Sequence, residues 1–247
     1  MTGSFFEFNL ATTAPEIVLE LCNSPATNKI FKDTIDTYHS YVKFKSIPSR
    51  RIHYLAYENK TGNLIGALGI SGATYAISCR DVFIGWTEEQ KKKNLIKIAN
   101  NSRFCLIQQN ITIKNAGTMC LKQLRINGAK QWKDNYGDNL VLLETFVQAE
   151  RDDIYNGKNT RSGAIYKADN WIEVGWTKGS SIQKAPMKMW MKEKGERGRL
   201  AREDKEACLK KYYLDGSTSS GYKITKSKKK IVFVKPLIKL WKKELLT

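Results

Sequence analysis

The segment Asn139-Leu-Val-Leu-Leu-Glu-Thr-Phe-Val147 decides how the chain is read. It is apolar on both of its faces, with one carboxylate, Glu144, inside it. Such a run predicts a strand covered on both sides, at the centre of a sheet. Working outward, residues 162–170 predict a short helix and residues 171–176 a following strand. Upstream, residues 115–124 predict a helix with Met119, Leu121 and Leu124 inward, preceded by a short buried strand at 103–107. Residues 88–100 place Leu95, Ile96 and Ile98 on a charged background, a helix behind Thr87 as N-cap. Residues 51–57 and 64–70, joined by a Gly-containing turn, predict a hairpin. Gly66 and Gly69 in its second strand mark a bulge or a close backbone approach.

The ends read differently. Residues 15–38 show helix-like spacing of Ile17, Val18, Leu21, Ile30, Phe31 and Ile35, broken near Pro25 into two helices. Residues 184–213 are helical and basic, 216–221 form a turn, and 228–234 form a last strand. Its lysines and Pro236 suggest a sheet edge. The fold class expected is α+β: a mixed central sheet flanked by helices, with a basic helical C-terminal extension. Three parts follow: an N-terminal helical segment 1–50, a core 51–182, and a basic segment with closing strand 183–247.

The chain has 247 residues and a net charge of +18. That charge is polarised: residues 178–247 carry 20 basic and 7 acidic groups, or +13, against +1 for residues 1–87. A charge gathered in one segment is the footprint of a polyanion binder, so DNA is the expected partner. The bland alternative is a Lys-rich soluble surface. No run of eighteen apolar residues exists, so no membrane span is expected. The first residues lack a basic stretch ahead of an apolar one, so no secretory signal is expected. The five cysteines are widely spaced, with no Cys-x-x-Cys, which argues against a disulfide framework or zinc site. Reduced thiols in a cytoplasm are expected.

The predicted order of hairpin, helix, strand, helix, central strand, short helix and strand resembles an acetyltransferase-like (GNAT) fold. Ala164-Ile-Tyr-Lys-Ala-Asp-Asn-Trp-Ile-Glu-Val-Gly175 resembles its closing helix and strand. A more specific resemblance rests on five ordered motifs. They are Cys79-Arg-Asp-Val-Phe-Ile-Gly-Trp86, Asn100-Asn-Ser-Arg-Phe104, Leu143-Glu-Thr-Phe-Val147, Tyr166-Lys-Ala-Asp-Asn-Trp171 and Gly175-Trp-Thr-Lys-Gly179. Together they resemble the DruA family of Druantia anti-phage systems, whose domain also occurs beside transposase domains. This implies DNA of phage or mobile elements as the setting, with a further protein of such an assembly as a second partner. A fainter resemblance, carried by His53-Tyr54 and Tyr166, is to the phage Mom proteins, which modify adenine in DNA. It implies metal-assisted chemistry at His53 and Tyr54. Two departures stand out. The acetyltransferase pyrophosphate loop is matched by Ile113–Thr118, with one glycine, which makes coenzyme A doubtful. The acid that follows Glu-Thr-Phe-Val in the DruA pattern is here Gln148, so its role is lost or falls to Glu150 or Asp152.

Four residues are candidates for catalysis: Tyr166, Glu144, His53 and Tyr54. In the fold it resembles, a tyrosine at the place of Tyr166 faces the reacting group and can donate a proton; otherwise it is a core aromatic. Glu144 is either a general acid or base with a pKa shifted by burial, or the partner of Arg103 or Arg80 in a buried ion pair. His53 and Tyr54 alternate along a strand and so face opposite ways, which weighs against a joint metal site. For nucleic-acid binding the candidates are Arg103, Lys178, Lys228, Lys229 and Lys230. Three functions stay open: an enzyme modifying a nucleobase, a non-catalytic DNA-binding subunit, and an acyltransferase acting on protein or a small molecule.

Overall fold

The computed structural model describes residues 14–39, 44–45, 49–148, 162–179, 181–184, 223–226 and 229–247. They fall into two compact units. The first draws on the chain up to Phe146, on Gly163–Gly175 and on Val232–Thr247; the second draws on Val147–Ser162 and Trp176–Ile231. Among the described residues, no helix is long and apolar enough to cross a membrane.

A seven-stranded mixed sheet is built from β1 (Ile17–Leu21), β2 (Arg51–Glu58), β3 (Leu64–Gly72), β4 (Ile98–Leu106), β5 (Leu142–Gln148), β6 (Ile172–Trp176) and β9 (Lys230–Pro236). Their order across the sheet is β1-β2-β3-β4-β5-β9-β6. β1 to β4 run antiparallel, and β4 pairs β5 in parallel. In the second unit, β7 (Ser181–Lys184) and β8 (Lys223–Lys226) form an antiparallel pair with Ser181 opposite Lys226. The helices are α1 (Pro25–Tyr38), α2 (Ser78–Ile84), α3 (Glu88–Asn94), α4 (Ala116–Tyr136), α5 (Ala164–Ala168) and α6 (Trp241–Leu246).

This is the expected α+β architecture, in the element order that the acetyltransferase-like resemblance implied. β5 lies inside the sheet as expected, and Leu142 to Thr145 are all buried. α1 covers one face: Phe31 and Ile35 pack on Leu55, Ala67 and Cys105. α4 covers the other, where Leu121 and Leu124 are buried and Asn127 accepts a hydrogen bond from Tyr54. The close approach expected at Gly66 is real, since a Cβ there would lie 2.5 Å from the carbonyl oxygen of Cys105.

Five local readings are corrected. Residues 17–21 are strand β1, because Ile17 alternates into the core beside Glu58 of β2 while Val18 faces out. Pro25 does not break a helix but starts one: it sits at the first position of α1, behind a Ser24–Thr27 capping box. The helix behind Thr87 stops at Asn94, whose side chain is held by the carbonyl oxygen of Leu245. Ile98 already belongs to β4, so that strand is longer than the predicted 103–107. The closing strand β9 is interior, between β5 and β6. Its lysines and Pro236 stand at its ends, and Ile231 to Val234 between them are buried. The predicted basic helix, apart from Lys184 in β7, and the turn at 216–221 lie outside the described residues.

Candidate functional site

The parallel pairing of β4 and β5 covers only Ile98 with Leu142, Ala99 with Leu143, and Asn100 with Glu144. Beyond that point the ladder stops and the next residues of the two strands are polar: Asn101 and Thr145. Successive strand residues point to opposite faces. Glu144 and Thr145 therefore open onto different sides of the sheet, and their surroundings differ in kind.

On the α4 side, the Thr145 hydroxyl donates to the carbonyl oxygen of Asn101 at 3.1 Å. The Tyr166 hydroxyl lies 3.4 Å from Thr145 Oγ1. α5 carries Tyr166 into this place, and aromatic rings hold it there. It stacks on Phe233 at 5.8 Å and meets Trp171 edge-on at 5.1 Å, with Phe104 at 6.0 Å. The side chain of Asn101, 4% exposed, has neither its Nδ2 nor its Oδ1 paired among the described residues. A buried amide left so costs about 1–3 kcal/mol. It is an orphan in need of an explanation.

On the opposite side, the Glu144 carboxylate is closed in. Oε2 accepts from Arg80 Nη1 at 2.7 Å and Oε1 from the Thr74 amide at 2.9 Å. Both side chains are fully buried. α2 brings Arg80, which also donates to the carbonyl oxygens of Thr74 and Tyr75 and to Asp81. Asp81 in turn meets Lys91 at 2.9 Å. Burial pushes the Glu144 carboxyl up, while the Arg80 charge and the Thr74 amide pull it back, leaving it raised. Of the two partners expected for Glu144, the structure supplies Arg80. Arg103 instead donates to the carbonyl oxygens of Ser102 and Lys45.

His53 stands on the α1 side of β2, stacked on Phe31 at 4.1 Å with Phe44 edge-on. Burial, helped by the charges of Arg51 and Arg103, pushes its imidazole down to about 4, so it is neutral near pH 7. Tyr54 points to the other side and donates to the Asn127 carbonyl at 3.1 Å. The structure thus separates the adjacent pair across the sheet. Among the described residues no cluster of three His, Cys, Asp or Glu could hold a metal. In the second unit, the backbones of Thr177 and Lys230 pair at 2.9 Å, which brings exposed Lys178 near Lys229 and Lys230. Lys228, Glu150 and Asp152 lie outside the described residues.

Asn101 and Thr145 were not singled out from the sequence. The available signal was the polar run Asn100-Asn101-Ser102-Arg103 between apolar residues of one strand, the start of which the short reading of β4 left outside it.

The acetyltransferase-like topology implies coenzyme A, and the residues do not fit its pyrophosphate. The one glycine of the 113–118 loop is Gly117, in the first turn of α4. A Cβ there would lie 2.1 Å from Ile165 Cδ1. Ile165 of α5 packs directly on Gly117, so the absence of a side chain there serves helix packing.

Four of the motifs quoted above meet where β4 and β5 part: α2 with Arg80, Asn100–Phe104 in β4, Leu143–Val147 in β5, and Tyr166–Trp171. A family model described as Druantia protein DruA matches residues 5–245. The chain belongs to the DruA family. The DruA motifs are therefore sheet-centre residues and their supports, on both faces of one strand pair. No curated protein matches the chain at a significant level. Among solved structures, FeeM, an N-acyl amino acid synthase from uncultured soil microbes, is similar at 10% identity and a TM-score of 0.42, over 93% of this chain and 94% of that one. A GNAT family acetyltransferase from Elizabethkingia anophelis is similar at 10% identity and a TM-score of 0.37, over 90% and 99%.

Proposed function

We propose that this DruA-family chain acts on DNA in anti-phage defence, as an enzyme that modifies a nucleobase at the Asn101, Thr145 and Tyr166 cluster. The observation that supports the reading is the buried Asn101 amide with both polar atoms unpartnered among the described residues, its backbone carbonyl held by Thr145, whose hydroxyl lies 3.4 Å from that of Tyr166. A side-chain amide offers one donor and one acceptor side by side. That pattern complements the edge of a base such as adenine, which pairs an amino group with a ring nitrogen. A base would have to leave the helical stack to reach it. In this reading Tyr166 gives a proton to the reacting group. Lys178, Lys229 and Lys230, with the +13 of residues 178–247, supply charge to hold phosphates.

A second reading is a non-catalytic DNA-binding subunit. It is favoured by Glu144, whose two oxygens are occupied by Arg80 and Thr74, leaving no open carboxylate base at this place. Nucleoside mass spectrometry of DNA from cells expressing the wild type and Tyr166→Phe separates the two. The enzyme reading expects a new nucleoside mass that the variant loses. Unmodified DNA together with full phage protection in both would leave the binding reading standing.

A further inference from the structure

Away from that cluster, α4 and the chain after β9 enclose a groove of about 340 Å³. It is lined by Arg125, Ile126 and Ala129 of α4 and by Leu140, Leu237 and Ile238. Ile126 is 57% and Ile238 42% exposed, so apolar surface stands open to water there. On α4, Lys122, Ile126, Ala129 and Lys133 follow helix spacing and share one stripe. Lys239 follows Ile238, and all three lysines are exposed. Neighbouring acids do not neutralise them. Asp134 takes Lys130 at 2.8 Å, Asp138 takes Arg50, and Asp169 takes Arg125. The groove therefore has an apolar floor and a rim of positive charge.

We propose that this groove docks an acidic amphipathic helix of a partner protein. Apolar side chains at helix spacing would fill the floor, and flanking carboxylates would meet Lys122, Lys133 and Lys239. The apolar floor distinguishes this surface from a nucleic-acid face, since a phosphate backbone has no side chains to fill it. A second copy of the chain is disfavoured because each carries +18 and the two repel.

The test is fluorescence anisotropy with a labelled synthetic helix bearing Leu at i, i+3, i+4 and i+7 and Glu elsewhere. A second peptide has Lys in place of every Glu, and a labelled duplex DNA is the third probe. Each is titrated into the wild-type chain, Ile126→Glu and Lys122→Glu/Lys133→Glu. All three substituted positions are exposed, and circular dichroism checks that the variants fold. The proposal expects the acidic helix to bind best, and Ile126→Glu to weaken it at least about tenfold, as loss of a central apolar anchor does. It expects the double lysine variant to weaken it too, and DNA binding to be unmoved by Ile126→Glu. Three results overturn it: no binding of the acidic helix, equal binding by Ile126→Glu, or DNA binding abolished by Ile126→Glu. The last would make the groove a nucleic-acid surface.

Discussion

Glu144 and Thr145 are neighbours in one strand, yet the two faces they open onto obey opposite rules. The Glu144 carboxylate is fully paired: each oxygen has a short partner, and Arg80 donates to four different groups, while Asn100 Oδ1 and Trp86 Nε1 nearby have no partner among the described residues. The Thr145 face is incomplete, with an amide at Asn101 that nothing in the described structure satisfies. A buried charge that is fully paired is part of the packed scaffold; a buried polar group left unpaired costs stability and calls for an explanation, of which a ligand is one. The comparison teaches that the more conspicuous residue, a glutamate inside an apolar strand, belongs to the scaffold. Under the proposed function, the chemistry lies with its quieter neighbours.

The largest effect that could break this division is on the closed face. Glu144→Gln leaves Arg80 buried against a neutral amide, with Asp81 as its remaining ion partner, and is expected to cost at most about 3–5 kcal/mol. That would be seen as a fall in melting temperature of roughly 10 °C. A melt matching the wild type would move Glu144 out of the scaffold. Next comes Tyr166→Phe, which removes one hydroxyl and keeps the ring against Phe233 and Trp171. If Tyr166 donates a proton, the rate of base modification falls about 10²–10⁴-fold with the melting temperature unchanged. Full activity in that variant would take Tyr166 out of the site. Titration with acetyl-CoA by calorimetry should release no heat of binding, because Ile165 fills the space above Gly117. A micromolar affinity, about −8 kcal/mol, would contradict that reading.

Smaller effects sharpen the picture away from the cluster. His53 is neutral in the folded chain down to about 4, against 6.5 for an ordinary imidazole. Between these values the unfolded chain takes up a proton that the folded chain does not, so stability is full above 6.5 and falls as pH drops towards 4. His53→Phe should flatten that part of the stability–pH curve; an unchanged slope would place the titration elsewhere. Smallest is the double change Lys229→Gln/Lys230→Gln, expected to reduce the salt slope of duplex binding by about 0.9 for each phosphate that is no longer neutralised. A slope equal to the wild type would remove both lysines from the DNA surface.

The sheet centre was legible because Leu140 to Leu143 form an unbroken apolar run, which fits a strand covered on both faces. The hairpin and the Thr87 cap were legible from turn glycine and capping chemistry. β1 was not, because five residues with three inward positions are too few to separate strand spacing from helix spacing. β9 misled because lysines mark an edge only when they lie within the paired stretch, and here they lie at its end. Of the site, Tyr166 was legible through its motif. The partner of Glu144 was narrowed to two arginines, and choosing between them needed the path of α2. Asn101 was hidden because an orphaned amide is a property of three-dimensional surroundings that no local pattern encodes.

The division between the two faces is tested most directly by the melting temperature of Asn101→Leu. Leucine matches the asparagine side chain in shape and brings no polar atom to satisfy, so the substitution removes the orphan without opening a cavity. If Asn101 is kept for a ligand, the variant should melt at or above the wild-type temperature, by up to about 1–3 kcal/mol of added stability. A fall as large as that of Glu144→Gln would show Asn101 to be part of the scaffold, and the contrast between the two faces would not stand.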